Sequence, residues 1–358
     1  GVRGKLPRKS PKLAMIKVFD FFSGCGGTSC GFEQAGLDIV LGLDIDRDAA
    51  LTYKSNFPRA AFIEADICTL ETSVLEQWLQ DRTTPILFSG CAPCQPFSKQ
   101  NRQKGETDVR RNLLSEFGRF VRDWLPEYVF IENVPGMQNV KGQKGPLPAF
   151  EALLTKLGYT YDIKVLPALW FGVPQTRERL VLLASRDHAI SLPAATHGPG
   201  KLPFTTVRDW IGGLDALAAG GVDPIDSTHR AAELSELNLA RIAATKEGGG
   251  RESWPDHLLL DCHRNHKGHT DVYGRLSWDK PAAGLTTRCI SYSNGRFGHP
   301  EQNRAISARE AACLQTFPAN FIFQGNLNSR ARQIGNAVPP SMARSIGTTI
   351  KSHFYAYQ

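Results

Sequence analysis

The residues best suited to covalent chemistry lie in Gly90-Cys91-Ala92-Pro93-Cys94-Gln95-Pro96-Phe97-Ser98. Cys94 stands between two prolines, which restrict the backbone and hold a thiol in place to react. The apolar run Pro85-Ile86-Leu87-Phe88 leads into it and reads as a buried strand. Cys94 then falls on a loop at the carboxyl end of that strand, the edge where open α/β sheets bind ligands. Cys91 and Cys94 also make a C-x-x-C, which admits a redox pair or half a zinc site. No second C-x-x-C follows, and that weakens zinc. Glu132 ends another apolar run, Tyr128–Ile131, and points at the same edge. An acid beside apolar residues is kept protonated and acts as a donor, although a structural hydrogen bond to backbone is the plainer role. Arg177 and Arg179 are two apart, so in extended chain they share a face and suit phosphate or base contact. Surface charge is the ordinary meaning of such a pair.

Nearer the start, Ile16–Phe22 reads as a strand, Ser23-Gly24-Cys25-Gly26-Gly27-Thr28 as a turn, and Ser29–Gln34 as a helix. A strand, a glycine turn and a helix open a nucleotide-binding α/β unit. The spacing G-x-G-G differs from G-x-G-x-x-G, which argues against a plain dinucleotide site. Asp44 ends a second strand, Ile39–Leu43, where an acid is placed to hold two ribose hydroxyls. Asp66 follows a third strand, 60–64. Isolated aspartates at such positions are usually helix caps; two of them behind a glycine turn point to a ligand site.

Other elements must hold these groups. Helices are expected over 47–56, 112–124, 147–157, 235–245, 307–316 and 341–354, and strands over 161–166 and 179–184. Ser307 caps the penultimate helix and Pro318 ends it. Gln333–Pro340 reads as the lead into the last helix. Lys99–Arg111 is polar, basic and without apolar residues, which marks a mobile functional loop or a solvated one. After Arg186 the sheet–helix alternation fades, and residues 187–280 are richer in Gly, Pro, His and turn signals. The run Cys262–His269 fits no zinc spacing well.

At 358 residues the chain is long enough for a large core split into two domains. Its hydrophobic share of 41% and charged share of 22% are those of a soluble globular protein, and no apolar run approaches a membrane span. The eight scattered cysteines fit a reduced, intracellular setting. The net charge of +7 suits a polyanionic partner. Residues 1–14, basic and aperiodic, read as a disordered lead-in, and Met15 as a natural start.

Taken in order, the motifs resemble those of the DNA (cytosine-5)-methyltransferases. They are Phe19-Asp20-Phe21-Phe22-Ser23-Gly24-Cys25-Gly26-Gly27, Pro93-Cys94-Gln95, Glu132-Asn133-Val134, Gln175-Thr176-Arg177-Glu178-Arg179, Arg309-Glu310 with Leu314-Gln315-Thr316-Phe317-Pro318, and Gly335-Asn336-Ala337-Val338-Pro339-Pro340. Six weak motifs in order over 16–350 make chance a poor account. The resemblance implies an α/β fold: a Rossmann-like S-adenosyl-L-methionine (AdoMet) domain with a smaller, irregular target-recognition domain. The catalytic domain would be discontinuous, 16–186 plus 333–358. Residues 187–304 would recognise the target, and 305–332 would form a hinge and returning helix.

The resemblance also implies roles. Cys94, Glu132, Arg177 and Arg179 would be catalytic. Phe22, Ser23, Gly24, Gly26, Gly27, Asp44, Ile45, Asp66, Ile67, Pro93, Leu113, Asn336 and Val338 would bind AdoMet. Ser98, Lys99, Arg102, Arg251 and Arg264 would contact DNA. The enzyme would be a bacterial, cytoplasmic monomer acting on double-stranded DNA, either an orphan or paired with a restriction endonuclease. No member of the catalytic set is missing. The tRNA-methylating branch shares that set, whereas residues 187–280 resemble bacterial recognition domains. A non-catalytic DNA-binding relative would not need Cys94, Glu132 and Arg179 intact. A thiol-redox protein would leave Glu132-Asn133-Val134 and Gly335-Asn336-Ala337-Val338 without a purpose.

Overall fold

The computed structural model of the chain describes residues 15–80, 82–93, 113–135, 139–140, 143–260 and 271–357. Seven strands form its main sheet: β1 (Lys17–Phe21), β2 (Asp38–Asp44), β3 (Ala61–Glu64), β4 (Ile86–Gly90), β5 (Tyr128–Asn133), and, after a small hairpin of β6 (Asn139–Val140) and β7 (Gln143–Lys144), β8 (Thr160–Pro167) and β9 (Glu178–Ser185). Their order is β3-β2-β1-β4-β5-β9-β8. The first five run parallel, while β9 is antiparallel to both β5 and β8. β1 lies between β2 and β4, so the chain leaves it in opposite directions and opens a crevice at the carboxyl ends of these strands.

β4 and β5 are buried at every residue, which is why they read as unbroken apolar runs and not as alternation. Val18, Leu87, Phe130 and Val181 face one core, and Phe19, Phe88, Val129 and Leu182 face the other. Helix α4 (Leu113–Trp124) and helix α5 (Pro146–Lys156) cover the second face through Phe117, Phe120 and Phe150. Helix α1 (Gly27–Gln34) covers the first, together with the last helix, Pro340–Ala356. Those two helices touch at Gly31, where a Cβ would lie 2.3 Å from Pro340 O and 2.5 Å from the Ala343 Cβ. The end of the chain therefore packs on the sheet that its beginning built.

The strands and helices lie where the sequence puts them, within a residue or two at most ends. Among the helices not expected are the short Glu76–Leu79 and Val207–Ile211 and, after the 308–314 helix that Ser307 caps through a capping box with Glu310, Leu327–Asn336. Gln333–Asn336 are thus its last turn and not a lead-in. The helical signal there is weak, with Gly335 near its end, and the tertiary fold favours it. A Cβ on Gly335 would lie 2.2 Å from Thr286 O, so the glycine permits a close approach.

The stretch after β9 holds only short elements, among them Val207–Ile211 and Glu236–Ala243. Ile190, Leu192, Val207, Ile211, Leu276, Ala282 and Phe297 join the core on the α1 side. Ile242, Trp254, Leu258, Tyr292 and Ala305 make a small cluster of their own. The segment 187–304 is thus continuous with the main core at one side. Among the described residues no helix is long and apolar enough to cross a membrane.

Candidate active site

A cavity of about 670 Å³ opens at the carboxyl ends of β1, β2, β4 and β5. That volume lies in the range of small-molecule and cofactor pockets. One wall is the turn after β1. Phe22 and Gly24 there adopt positive φ of 55° and 51°, and Gly26 one of 94°. Gly24 N donates to Asp44 Oδ2 at 2.8 Å, and Asp46 N donates to Asp44 Oδ1 at 2.9 Å. The Asp44 carboxylate thus ties the glycine turn to the end of β2 while lining the cavity, and burial raises its pKa. Asp66 accepts the Cys68 N–H at 3.0 Å, so it is the cap of a short helical turn and a cavity wall at once. Ile45, also on the wall, is 67% exposed and presents apolar surface there.

The other wall is built where β5 meets β9. Their antiparallel pairing sets Glu132 opposite Val181 and brings Arg179 to the end of β5. Arg179 Nε lies 2.7 Å from Glu132 Oε1, but its N–H is not aimed at that oxygen, which keeps hydrogen-bonding capacity. Burial raises the Glu132 pKa, and Arg179 and Arg177 only partly oppose it. Arg177 donates to Leu285 O at 3.2 Å and to Gly335 O at 3.0 and 3.1 Å. Burial, with Arg179 nearby, pulls its guanidinium down to about 9, which still leaves it charged at neutral pH. Its terminal N–H groups are spent on backbone, so Arg177 fastens the cavity wall and Arg179 is the arginine facing the acid.

Cys91, the first residue after β4, is half-buried, with Thr28 Oγ1 at 3.8 Å and Ser89 Oγ at 4.0 Å. Burial, with Glu132 and Asp20 adding to it, holds its thiol well above the usual range. A thiol kept protonated is a poor nucleophile. Asn133 Nδ2 donates to Ala92 O at 2.9 Å and anchors the backbone that leads toward Cys94.

Five buried side-chain polar atoms among the described residues lack a hydrogen-bond partner, and four of them belong to residues lining this cavity: Ser23 Oγ, Glu132 Oε1, Arg177 Nε and Gln333 Oε1. Buried polar groups are costly when unsatisfied, so this cavity is built for a polar ligand.

The model of the C-5 cytosine-specific DNA methylases matches residues 16–352. The chain belongs to that family. The type II methylase M.HgiDII of Herpetosiphon aurantiacus is 40% identical over 93% of the chain and 94% of its own length. The type II methyltransferase M1.HphI of Haemophilus parahaemolyticus is 34% identical over 94% and 86%. Among solved structures, Dnmt2 methyltransferase of S. pombe has the same fold, with a TM-score of 0.62 at 18% identity over 96% of the chain and 99% of that one. The chain is accordingly a DNA cytosine-5 methyltransferase, and its family uses AdoMet.

Within this C-5 methylase the cavity gathers most of the expected residues. Phe22, Ser23, Gly24, Gly27, Asp44, Ile45, Asp66, Ile67, Pro93, Leu113, Asn336 and Val338 line it, together with Glu132, Arg177 and Arg179. Gly26 does not. It starts α1 from the left-handed region, where a Cβ would lie 2.4 Å from the Phe57 ring. Arg251 is 9% exposed and begins a short helical turn, Arg251–Ser253. Cys94, Ser98, Lys99, Arg102 and Arg264 lie outside the described residues, as do the 99–111 loop and Cys262–His269. Among the described residues no cluster of three metal-ligating side chains occurs.

The sequence reading missed Thr286, Thr287, Arg332 and Gln333, which close the cavity from the far end of the chain. Arg332 Nη2 lies 2.9 Å from Asp46 Oδ2, joining the 327–336 helix to the start of helix α2 (Arg47–Asn56). Spacing within Gln333–Val338 was the available signal, since Gln333 neighbours residues already assigned to the cavity.

Proposed function

We propose that this methylase transfers the AdoMet methyl group to C5 of a flipped-out cytosine in a specific double-stranded DNA sequence, through a covalent bond between Cys94 and C6. The observation that carries the reading is the single cavity joining the glycine turn and Asp44 at one wall to Glu132 and Arg179 at the other.

The first wall fits AdoMet. Asp44 has lone pairs left for ribose hydroxyls, Ile45 and Phe22 offer apolar surface to adenine, and Asp66 can accept from the adenine amino group. Asn336 and Val338 complete that wall, and Ser23 Oγ awaits a partner. Bound there, AdoMet supplies an electrophilic methyl group.

The second wall fits the base. Cytosine C5 is a poor nucleophile. The Cys94 thiolate adds to C6, and the displaced electron pair makes C5 enamine-like. Protonated Glu132 donates to the N3 and N4 edge and stabilises the charge that develops there. Arg179 holds O2, with Arg177 behind it. After C5 has been methylated, its proton leaves, the C5–C6 double bond re-forms, and Cys94 departs as thiolate. The ring is out of reach within a duplex, so the base must leave the stack. The Lys99–Arg111 loop supplies cations for the phosphates. Residues 187–304 form the recognition segment. The type II names of the relatives support pairing with a restriction endonuclease.

The test uses DNA carrying 5-fluorocytosine at the target. Fluorine permits attack and methyl transfer but cannot leave as a cation, so the enzyme stays joined to the DNA. Wild type and Cys91→Ser are expected to shift on a denaturing gel, dependent on AdoMet, and Cys94→Ser is not, because a hydroxyl ionises far less than a thiol. A shifted Cys94→Ser band, or none for wild type on its methylated sequence, would sink the mechanism.

A further inference from the structure

A buried line of side chains runs beneath the cavity, and no step of the reaction above uses it. At its centre is Asp20 of β1, 1% exposed. Ser29 Oγ of α1 donates to its Oδ2 at 2.7 Å, and Ser89 Oγ of β4 donates to its Oδ1 at 2.8 Å. Ser29 Oγ also lies 2.8 Å from Tyr53 Oη of α2. On the other side, Ser89 Oγ and Thr28 Oγ1 flank the Cys91 thiol. Burial raises the Asp20 pKa to about 6 despite its two donors. A neutral side chain would fill the space without that cost.

We propose that Asp20 is a positioning residue that locks the cofactor-binding turn and the strand leading toward Cys94 into one register. Its two donors come from opposite parts of the site. Ser29 stands in the first turn of α1, directly behind Gly24–Gly27. Ser89 stands two residues before Cys91, and Cys94 follows three residues later. An ionised carboxylate only accepts, so both serines must donate to it. Ser29 can then only accept from Tyr53, and Ser89 from its thiol neighbour. A network with one acceptor at its centre has a single arrangement, whereas an amide or a protonated acid there permits two. Movement of α1 is thereby resisted by β4 and the reverse. Methyl transfer needs this, because the cofactor and the thiol must meet one base at fixed distances.

The inference rests on the AdoMet and Cys94 assignments, and its test separates the two. AdoMet affinity is measured by calorimetry, and the rate of adduct formation on 5-fluorocytosine DNA by quenched gels, for wild type, Asp20→Asn, Ser29→Ala, Ser89→Ala and Asp20→Asn with Ser89→Ala. Asp20→Asn is expected to weaken AdoMet and slow the adduct, each about tenfold. Ser29→Ala should act mainly on AdoMet and Ser89→Ala mainly on the adduct. The double variant should be no slower than Asp20→Asn alone, since both interrupt one network. The two serine variants keep the question answerable if Asp20→Asn fails to fold. Variants that melt earlier but bind and trap like wild type would make the network merely structural and overturn the inference. Wild type that neither binds AdoMet nor is trapped would overturn the functional reading, and this inference with it.

Discussion

Two groups of carboxylates in this molecule are held under opposite conditions. At the cavity, burial drives Asp20, Asp44 and Glu132 above the ordinary carboxylate range, and their partners only partly offset it. Those partners are hydroxyls, backbone N–H groups and an off-axis guanidinium. Farther along the chain, Glu310 and Asp226 are desolvated too, yet arginines outweigh the burial and hold them low. Arg304 grips Glu310 with two bonds of 2.7 Å, and Ser307 N adds a third at 2.7 Å. Arg309 Nε meets Asp226 Oδ2 at 2.5 Å. The second group is saturated and serves the fold. In the first group Asp44 and Glu132 line the cavity and are held there at some cost in stability, as a ligand site requires, while Asp20 lies beneath it with both oxygens occupied by serines.

Arginine does similar work throughout the irregular segment. Arg275 donates to the carbonyls of Ile242, Thr245, His299 and Gln302 at 2.7–3.3 Å. Strands satisfy such carbonyls mutually by ladder bonds; loops without a ladder need side chains to do it. A scaffold held this way frees the loop surface from the demands of regular structure, which is compatible with the recognition role proposed above for residues 187–304.

The largest effect that would sharpen this comparison is a change of target. Replacing residues 187–304 by the matching segment of a relative should move methylation to another sequence, read by bisulfite sequencing, while Cys94 trapping persists. An unchanged sequence would shift readout to the loop after Cys94 and break the division. Glu310→Gln should come next, with a loss of roughly 3–5 kcal/mol in chemical denaturation, because Arg304 stays buried without its countercharge. A loss below about 1 kcal/mol would mean that the saturated group is no firmer than the cavity group.

Asp44→Ala should weaken AdoMet by on the order of 1.5–3 kcal/mol through loss of a charged acceptor, as calorimetry would register. Equal affinity would remove Asp44 from the cofactor wall. The smallest effect has the opposite sign. Because its folded pKa is raised, Glu132 favours the folded state least once pH has risen through that value, and the penalty is absent below the unfolded pKa near 4.5. Glu132→Gln should therefore melt slightly higher than wild type at pH 8, with the gap closing toward pH 4, while methyl transfer falls. Glu310 has a depressed pKa, so its contribution is present at neutral pH and lost as the solution is acidified through the folded value. A Glu132→Gln variant that melts lower at pH 8 would contradict the contrast between the two groups.

By itself the sequence determined the elements and the edge at which the chemistry sits. Strand runs such as Ile86–Phe88 and Tyr128–Ile131, the glycine turn after Phe22, and the acids at Asp44, Asp66 and Glu132 are local signals. Apolar runs and turn residues act within a few positions, so they survive reading along a line. The tertiary structure decided the partners. Arg177 and Arg179 look equivalent in the sequence, yet carbonyls of Leu285 and Gly335 claim the first and Glu132 faces the second. Cys91 carries the same thiol as Cys94, but desolvation, with Glu132 and Asp20 nearby, holds it well above the usual thiol range. The far wall of the cavity comes from Thr286, Thr287, Arg332 and Gln333, brought together where Gly335 of the 327–336 helix packs against the backbone of Thr286 and Thr287. Charge, burial and hydrogen bonding depend on which distant atoms arrive at a side chain, and only the folded chain fixes that.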